Sequence, residues 1–538
     1  MESKILKKYN PYEKFRVGQE SAIQGMLQAY EDGNKIISLN APTASGKTID
    51  LYVFGRIMEK EYGLENVTFT SPQVALIESG NLFDLPKLVG KSNYKCLAIE
   101  GCDASECPFT SKEEGFAICG DCPYRKARAK FKASKFGATT FARYVQDPSI
   151  YSETSVLLID ESSDLEGELL KKATIELNLE MNSKKKATIK DQVIDLQKQL
   201  DGFDVKSHLQ QRYDELQIIV NRLSTQCKDY RKEIFVVGKK PKSSEIKKLK
   251  AIQHEYNHFH RMETACGHAL RYIKLEVPYV LTADIEEVYE PMFRKKVFKP
   301  VPYFKLLTAY VPFGDLVTNL ECVILASGTP TTDLVTKKAF EIKIDHPIPV
   351  ERRLIHYEPV GSMNMANRET TAKVMAQKIK ELHDVYSRKT IVHCGSYAVA
   401  QLIDAKLCGI HHNIVLQEQG YREKALVNWQ NSDDSIFLSV HYEEGISLDG
   451  PEYQMNIVAK VPFPNLSDAW ISRRNILDNW SWYQTMTATA VQQACGRTTR
   501  GPEDYSDTYI LDGSFGPFYY RNKGLFQAWF KNALCWKK

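Results

Sequence analysis

The chain lacks any apolar run near the ~18 residues that would cross a bilayer, and its opening Met-Glu-Ser-Lys-Ile-Leu-Lys-Lys-Tyr holds no apolar core of signal-peptide length. These absences exclude a membrane partner and make the cytoplasm the expected compartment. A large net charge is also lacking: the sum is +4, which by itself selects no class of partner. Twelve cysteines in a reducing compartment are not read as a disulfide framework, because five of them crowd between Cys96 and Cys122. What is present is 538 residues with 43% hydrophobic side chains, enough for about three or four cored domains.

Charge is unevenly placed. Residues 181–250 hold 17 Lys/Arg against 9 Asp/Glu, a local +8. From Tyr124 to Arg143 there is no acid, while Arg125, Lys126, Arg128, Lys130, Lys132, Lys135 and Arg143 are basic. Tyr124, Phe131, Phe136 and Phe141 lie among them, a mixture that suits phosphate pairing and base stacking. Arg125, Lys126, Arg128, Lys132 and Lys135 are the candidate nucleic-acid contacts. The alternative is a solvated helix face with core aromatics.

The densest chemistry is Asn40-Ala41-Pro42-Thr43-Ala44-Ser45-Gly46-Lys47-Thr48, between an apolar run from Lys35 to Leu39 and a helical stretch from Thr48. The pattern is that of a phosphate-binding loop, with Ala41 where the first Gly usually stands. Successive backbone N–H groups would curl around the phosphates of ATP, Lys47 would reach the β- and γ-phosphates, and Thr48 would ligate Mg²⁺. Upstream, Arg16 and Gln19 open a helix that ends at Gly33 and are candidates to read adenine. Val156-Leu157-Leu158-Ile159 then delivers Asp160 and Glu161 to a strand end. Asp160 would hold Mg²⁺, and Glu161 would deprotonate the attacking water.

The cysteine window, Cys96, Cys102, Cys107, Cys119 and Cys122, suits zinc or an iron–sulfur cluster, and spacing alone does not choose between them. Ile189, Val193, Leu196 and Leu200, then Leu209, Tyr213, Leu216, Val220 and Leu223, predict a helical hairpin turning at Asp201-Gly202. A third helix is predicted from Ser244 to Ile273, with His254, His258, His260 and His268 on its wet face. Cys322 to Ala326 predicts another strand, ending at Ser327-Gly328-Thr329. A second α/β unit follows from about Pro347, with strands at Thr390–His393, Ile436–Val440 and Gln454–Val458. It carries Glu444-Gly445-Ile446-Ser447 and Gln493-Ala494-Cys495-Gly496-Arg497-Thr498-Thr499-Arg500, whose two arginines three apart suit a γ-phosphate clamp.

In this order the motifs resemble the XPD/DinG type of superfamily-two helicase. Ala41 to Thr48 is similar to that family's A-P-T-G-S-G-K-T, with Ala44 for Gly, and Asp160-Glu161-Ser162-Ser163 to its D-E-A-H. Ser327-Gly328-Thr329 resembles S-A-T, Glu444-Gly445-Ile446-Ser447 resembles E-G-I-D, and Gln493 to Arg500 is a full Q-x-x-G-R-x-x-R. The resemblance implies two RecA-like parallel-sheet motor domains: residues 1–90, 145–180 and 275–345 in the first, residues 346–538 in the second. Residues 91–144 would be a cysteine-rich insertion and residues 181–274 a helical arch.

It further implies ATP and Mg²⁺, a [4Fe–4S] cluster on four of the five cysteines, and 5′→3′ movement on single-stranded DNA that parts forked duplex. Gln493 and Gly496 would join the ATP site, while Ser327, Thr329, Glu444 and Gly445 would couple it to strand movement. Zinc is the alternative metal. No nuclease-like segment precedes Phe15, so an extra exonuclease domain is not expected, and the compact arch would fit a virus- or plasmid-encoded protein. Competing readings are a single-strand translocase that does not unwind, an RNA helicase, and a non-enzymatic zinc-containing nucleic-acid binder.

Overall fold

The computed structural model describes residues 3–42, 44–72, 74–78, 84–97, 103–106, 122–179, 188–234, 242–290, 295–329, 331–386, 389–440, 448, 450–499, 501 and 503–536. Its architecture is α/β with two parallel seven-stranded sheets, as the motif order predicts. In chain order the first part supplies β1 (Ile36–Asn40), β2 (Val67–Ser71), β3 (Lys87–Leu88), β4 (Phe136–Thr140) and β5 (Val156–Ile159). A small sheet uses β6 (Ile175–Glu176), β7 (Tyr279–Glu290) and β8 (Lys295–Leu306), and β9 (Cys322–Ser327) and β10 (Phe340–Lys343) return to the first sheet. The second sheet takes β11 (Ile355–Gly361), β12 (Thr390–His393), β13 (Ile414–Leu416), β14 (Ile436–Ser439), β15 (Met455–Val458), β16 (Asp507–Asp512) and β17 (Leu534–Trp536).

The first sheet runs β10-β1-β9-β5-β2-β4-β3 and the second β13-β14-β12-β15-β16-β11-β17. Continuous apolar runs are what a parallel sheet covered on both faces requires, and the period-2 alternation shows in the packing. Val156 and Leu158 join one core with Ile324, while Leu157 and Ile159 join the opposite core with Val323 and Leu325. The phosphate-loop helix, Lys47–Lys60, lies on the first of these faces with Phe54 and Ile57 buried.

The helices within the segment expected to form the arch are Ile189–Leu200, Val205–Ile234 and Ser243–Lys274. Thr188 and Asp191 cap the first reciprocally, and Gly202, at φ 77°, makes the predicted turn. Among the described residues no helix is long and apolar enough to cross a membrane.

Two elements differ from the sequence reading. β4 falls inside residues 91–144, the segment assigned to the cysteine-rich insertion, yet it pairs with β2 along its whole length. The basic residues before it masked a strand. The second difference is the β7–β8 hairpin, twelve paired positions from Tyr279↔Leu306 to Glu290↔Lys295, read from sequence as motor-domain connection. Pro300 and Pro302 argue against an internal strand because they lack the N–H donor. The Pro302 carbonyl accepts from Leu177 N at 2.8 Å, on the side of β6. In a strand a residue's N and O face the same neighbour, so the missing donors fall on the side where only two-residue β6 pairs, and the β7 ladder is spared.

Gly55 lies where that helix crosses the sheet: a Cβ there would come 2.4 Å from Phe136 Cζ and 2.9 Å from Leu158 Cδ1. Helix propensity favours alanine by about 1 kcal/mol, but overpacking a filled core costs about 1–3 kcal/mol. Gly55→Ala is therefore expected to lower the Tm in a thermal melt. A rise would mean that propensity outweighs packing.

Candidate functional site

The parallel register brings the predicted residues to one edge. Asn40 pairs with Ser327, and Ile159 with Leu325, so the chain segments leaving β1, β5 and β9 emerge side by side. The Ala41 N–H donates to the Ser327 carbonyl at 3.0 Å, tying the loop to the β9 end.

The loop is held from above by the helix that precedes it. Arg16 Nη1 donates to the Ala44 carbonyl at 2.7 Å and Gln19 Nε2 to the Gly46 carbonyl at 3.2 Å, while Gln19 Oε1 accepts from the Arg16 N–H at 2.7 Å. Both candidate adenine readers thus brace the loop. Ser45 Oγ donates to the Pro42 carbonyl at 2.8 Å. Gly46 has φ 88°, and a Cβ on it would meet Gln19 Nε2 at 2.6 Å. Ala44 has φ 68°, a left-handed conformation that costs an L-residue roughly 1–2 kcal/mol. Thr43 lies outside the described residues.

Lys47 is 8% exposed, its Nζ 3.8 Å from Glu161 Oε1, and Thr48 Oγ1 donates to Asp160 Oδ2 at 2.6 Å. Burial and the neighbouring Glu161 carboxylate hold the Asp160 carboxyl above its usual range, with Lys47 and Thr48 pulling it back. A hydroxyl and a carboxylate are the hard oxygen donors that Mg²⁺ takes, and a divalent cation would relieve the charge that burial penalises. Glu161 itself sits at φ 51°, a sharp turn straight off β5.

Ser327 and Thr329 are buried, the Thr329 N–H donating to Ser327 Oγ at 3.2 Å. Between them Gly328 lies against Lys47: a Cβ there would be 3.7 Å from Nζ. Its carbonyl accepts from Gln527 Nε2 at 3.0 Å, a contact from the second domain.

In that domain Gly496 caps helix Ser481–Cys495, and the buried Arg497 donates from Nε to the Gln493 carbonyl at 3.2 Å. Burial first, and then Arg497, drive the His393 imidazole down to about 3, so this ring at the end of β12 stays neutral. Arg500, Glu444 and Gly445 lie outside the described residues.

Sequence reasoning missed Asp50, fully buried in the first turn of the loop helix, with neither carboxyl oxygen in a hydrogen bond of good geometry. Burial lifts its carboxyl well above the carboxylate range, while nearby Gln19 and Lys47 oppose the shift. Its position between Ile49 and Leu51 on the buried helix face was the available signal.

Of the five cysteines, Cys102, Cys107 and Cys119 lie outside the described residues. Cys96 and Cys122 are half-buried free thiols. Tyr94 and Tyr124 pack edge-to-face at 5.5 Å, bringing the two ends of the window together, and Cys122 is the N-cap of helix Pro123–Lys132. Among the described residues no group of three His, Cys, Asp or Glu is placed to hold a metal.

The basic segment looks different from its sequence. Tyr124, Phe131, Phe136 and Phe141 are all buried, so the aromatic rings belong to the core and offer no stacking surface. Arg128 lies 3.7 Å from Asp147, Lys132 3.2 Å from Glu153 and Lys135 2.7 Å from Glu65. Lys126 is exposed and Arg125 half-buried on the same helix.

Comparison with known proteins agrees with this layout. Residues 379–533 match the Helicase C-terminal domain family. The ATP-dependent DNA helicase CHL1 of Yarrowia lipolytica is 27% identical over 299 residues, covering 43% of this chain and 37% of that protein. The chain thus spans little more than a third of that curated relative's length. Among solved structures, S. tokodaii Xpd4 superposes at TM-score 0.54 with 16% identity, covering 97% of this chain and 99% of that one. An XPD helicase superposes at TM-score 0.58 with 13% identity, covering 97% and 100%. The overall fold is therefore similar to that of these two solved structures. The match to the helicase C-terminal domain family falls on the second sheet, over β12 to β16.

Ala44 stands where the resembled loop has glycine. Ala44→Gly should release the positive-φ strain, worth up to roughly 1–2 kcal/mol less the entropy that glycine adds to the unfolded chain, and so raise the Tm of the nucleotide-free protein. A lower Tm would show that the Ala44 side chain contributes packing that outweighs its strain.

Proposed function

We propose that the chain is an ATP-dependent DNA helicase that moves along single-stranded DNA, with ATP gripped between its two parallel-sheet domains. The observation that carries this reading is the Thr48–Asp160 contact beside Lys47 and Glu161, at a sheet edge that the second domain also touches.

On this reading the loop N–H groups from Thr43 to Thr48 receive the phosphates and Lys47 neutralises them. Thr48 and Asp160 would hold Mg²⁺, which would supply positive charge to the transferring phosphoryl group. Glu161, its Oε1 3.8 Å from Lys47 Nζ, takes the proton of the attacking water. Arg16 and Gln19 fix the loop and so place the adenine end of the site. Arg497, oriented by its bond to Gln493 and joined by Arg500, meets the γ-phosphate from the second domain. Because both domains share the ligand only while it is intact, the cleft closes on ATP and opens after hydrolysis. Gln527 on Gly328 gives that motion a grip on Ser327 and Thr329, with Glu444 and Gly445 as the matching elements of the second domain.

Forked duplex is the proposed substrate, and 5′→3′ is the direction the XPD/DinG resemblance implies. Arg125, Lys126, Arg128, Lys132 and Lys135 would meet strand phosphates, three of them by exchanging an internal carboxylate for the backbone of the strand. Four of Cys96, Cys102, Cys107, Cys119 and Cys122 would hold a [4Fe–4S] cluster. The convergence of Tyr94 and Tyr124, which draws the two ends of the window together, favours a ligated window.

Lys47→Ala is expected to abolish ATP hydrolysis, and Glu161→Gln to keep ATP binding while slowing turnover by about 10²–10⁴-fold. Phosphate release with single-stranded DNA present measures both, and near-normal turnover in Glu161→Gln would sink the assignment. Stimulation by RNA in place of DNA would instead point to an RNA helicase.

Cys122→Ser should remove iron and duplex separation while leaving nucleotide binding and basal hydrolysis, since the phosphate-loop helix packs on the sheet face opposite to the core that Cys122 joins. Iron and zinc analysis of anaerobically purified protein checks the metal. One equivalent of zinc without iron would replace the cluster with a zinc ribbon.

A further inference from the structure

Three side chains of the second motor domain reach into the first. Trp470 and Arg474 stand on helix Ala469–Leu477, and Trp482 opens helix Ser481–Cys495. Trp470 Nε1 donates to the Leu306 carbonyl at 2.7 Å, and Arg474 Nη1 donates to the carbonyl of Leu307. Leu306 is the last residue of β8, so these two bonds clasp the stem of the β7–β8 hairpin. The other arm of the guanidinium, Nη2, lies 3.3 Å from Glu166 Oε1, and Trp482 Nε1 donates to Glu166 Oε2 at 2.8 Å. The two indoles meet edge-to-face at 5.1 Å.

The centre of this node is inside the protein: Arg474 is 2% exposed and Glu166 is 6% exposed, with Trp482 buried and Trp470 half-buried. Burial lifts the Glu166 carboxyl to about 7, with Arg474 and the Trp482 indole pulling it back, so the carboxyl is held there by partners from the other domain. Asp478, 3.3 Å from Arg474 Nε, completes the charge set on the arginine's own helix.

The two places Arg474 touches lead in different directions. Glu166 lies on helix Leu165–Lys171, which follows the Asp160-Glu161 turn after a single 3₁₀ turn. Leu306 and Leu307 lead into the hairpin, whose strand β8 also pairs with β6 and whose buried Phe304 and Leu306 pack with Leu196 and Leu200 of the arch. A buried ion pair stripped of one partner is strongly penalised, so helix Ala469–Leu477 cannot shift without carrying both ends or breaking them.

We propose that Arg474 is a positioning residue that couples movement of the second motor domain to the acid motif through Glu166 and to the helical insertion through the hairpin stem. The proposal rests on the nucleotide-driven closure set out above. When the cleft closes, one guanidinium moves both the helix behind Glu161 and the base of the hairpin, so hydrolysis and movement of the arch stay in step.

Hydrogen–deuterium exchange on the full chain, with and without a non-hydrolysable ATP analogue and Mg²⁺, tests this. In the wild type the analogue should slow exchange at the phosphate loop and also across residues 279–306, the latter by about fivefold. In Arg474→Lys, which keeps the charge but loses the fork, protection of the loop should remain and protection of residues 279–306 should vanish. ATP consumed per base pair opened should rise with it, while the KM for ATP stays the same. Trp482→Phe removes only the indole N–H and should move the same readouts in the same direction, which keeps the test available if Arg474→Lys melts early.

Hairpin protection unchanged in both variants would overturn the coupling. No protection of the phosphate loop in the wild type would overturn the nucleotide reading, and the coupling with it.

Discussion

All the candidate chemistry depends on strand direction. In a parallel sheet every strand delivers its last residue to the same edge, and here the pairing of Asn40 with Ser327 and of Ile159 with Leu325 sets the loop, the carboxylates and the Ser327–Thr329 turn at matching heights. One residue of register slip would turn each inward side chain to the opposite face. The apolar alternation that divides Val156 and Leu158 from Leu157 and Ile159 is what forbids that slip. Core packing and site geometry are therefore one constraint.

The site also stores electrostatic and conformational tension. Asp50 and Asp160 are buried acids close to a nearly buried Lys47, and the chain turns through positive φ at both Ala44 and Glu161. Such features persist only where surrounding structure over-determines them. Here the bracing comes from Arg16 and Gln19 above the loop and from the β9 end beneath it. A polyanion with a divalent cation is the kind of ligand whose arrival such a charge set favours.

What could be read from sequence was whatever local chemistry alone dictates. Six strands, the phosphate loop, the Asp160–Glu161 strand end and the three helices of residues 189–274 follow from apolar runs, periodicity and turn residues, and they sit where those signals put them. β4 was lost because its neighbours' charge outweighed its own five residues, and β8 because Pro300 and Pro302 read as breakers when their missing donors fall on the sparsely paired side. The ion pairs that engage Arg128, Lys132 and Lys135 join residues of separate elements, and the clasp of Arg474 on Glu166 joins the two ends of a far longer stretch of chain. No local pattern announces a partner three hundred residues away.

The outermost strands have a bearing on how the chain behaves at high concentration. The parallel sheets end in strands of two and four residues, β3 and β10, and of three and three, β13 and β17. Strands so short offer few unpaired backbone groups to a neighbouring molecule, so neither sheet presents a template for edge-to-edge aggregation. The long edge is β7, with twelve residues, and it carries Asp284, Glu286 and Glu287, of which the two glutamates stand in solvent. Carboxylates spaced along that strand would repel a second copy laid against it, so charge guards the one edge that shortness does not.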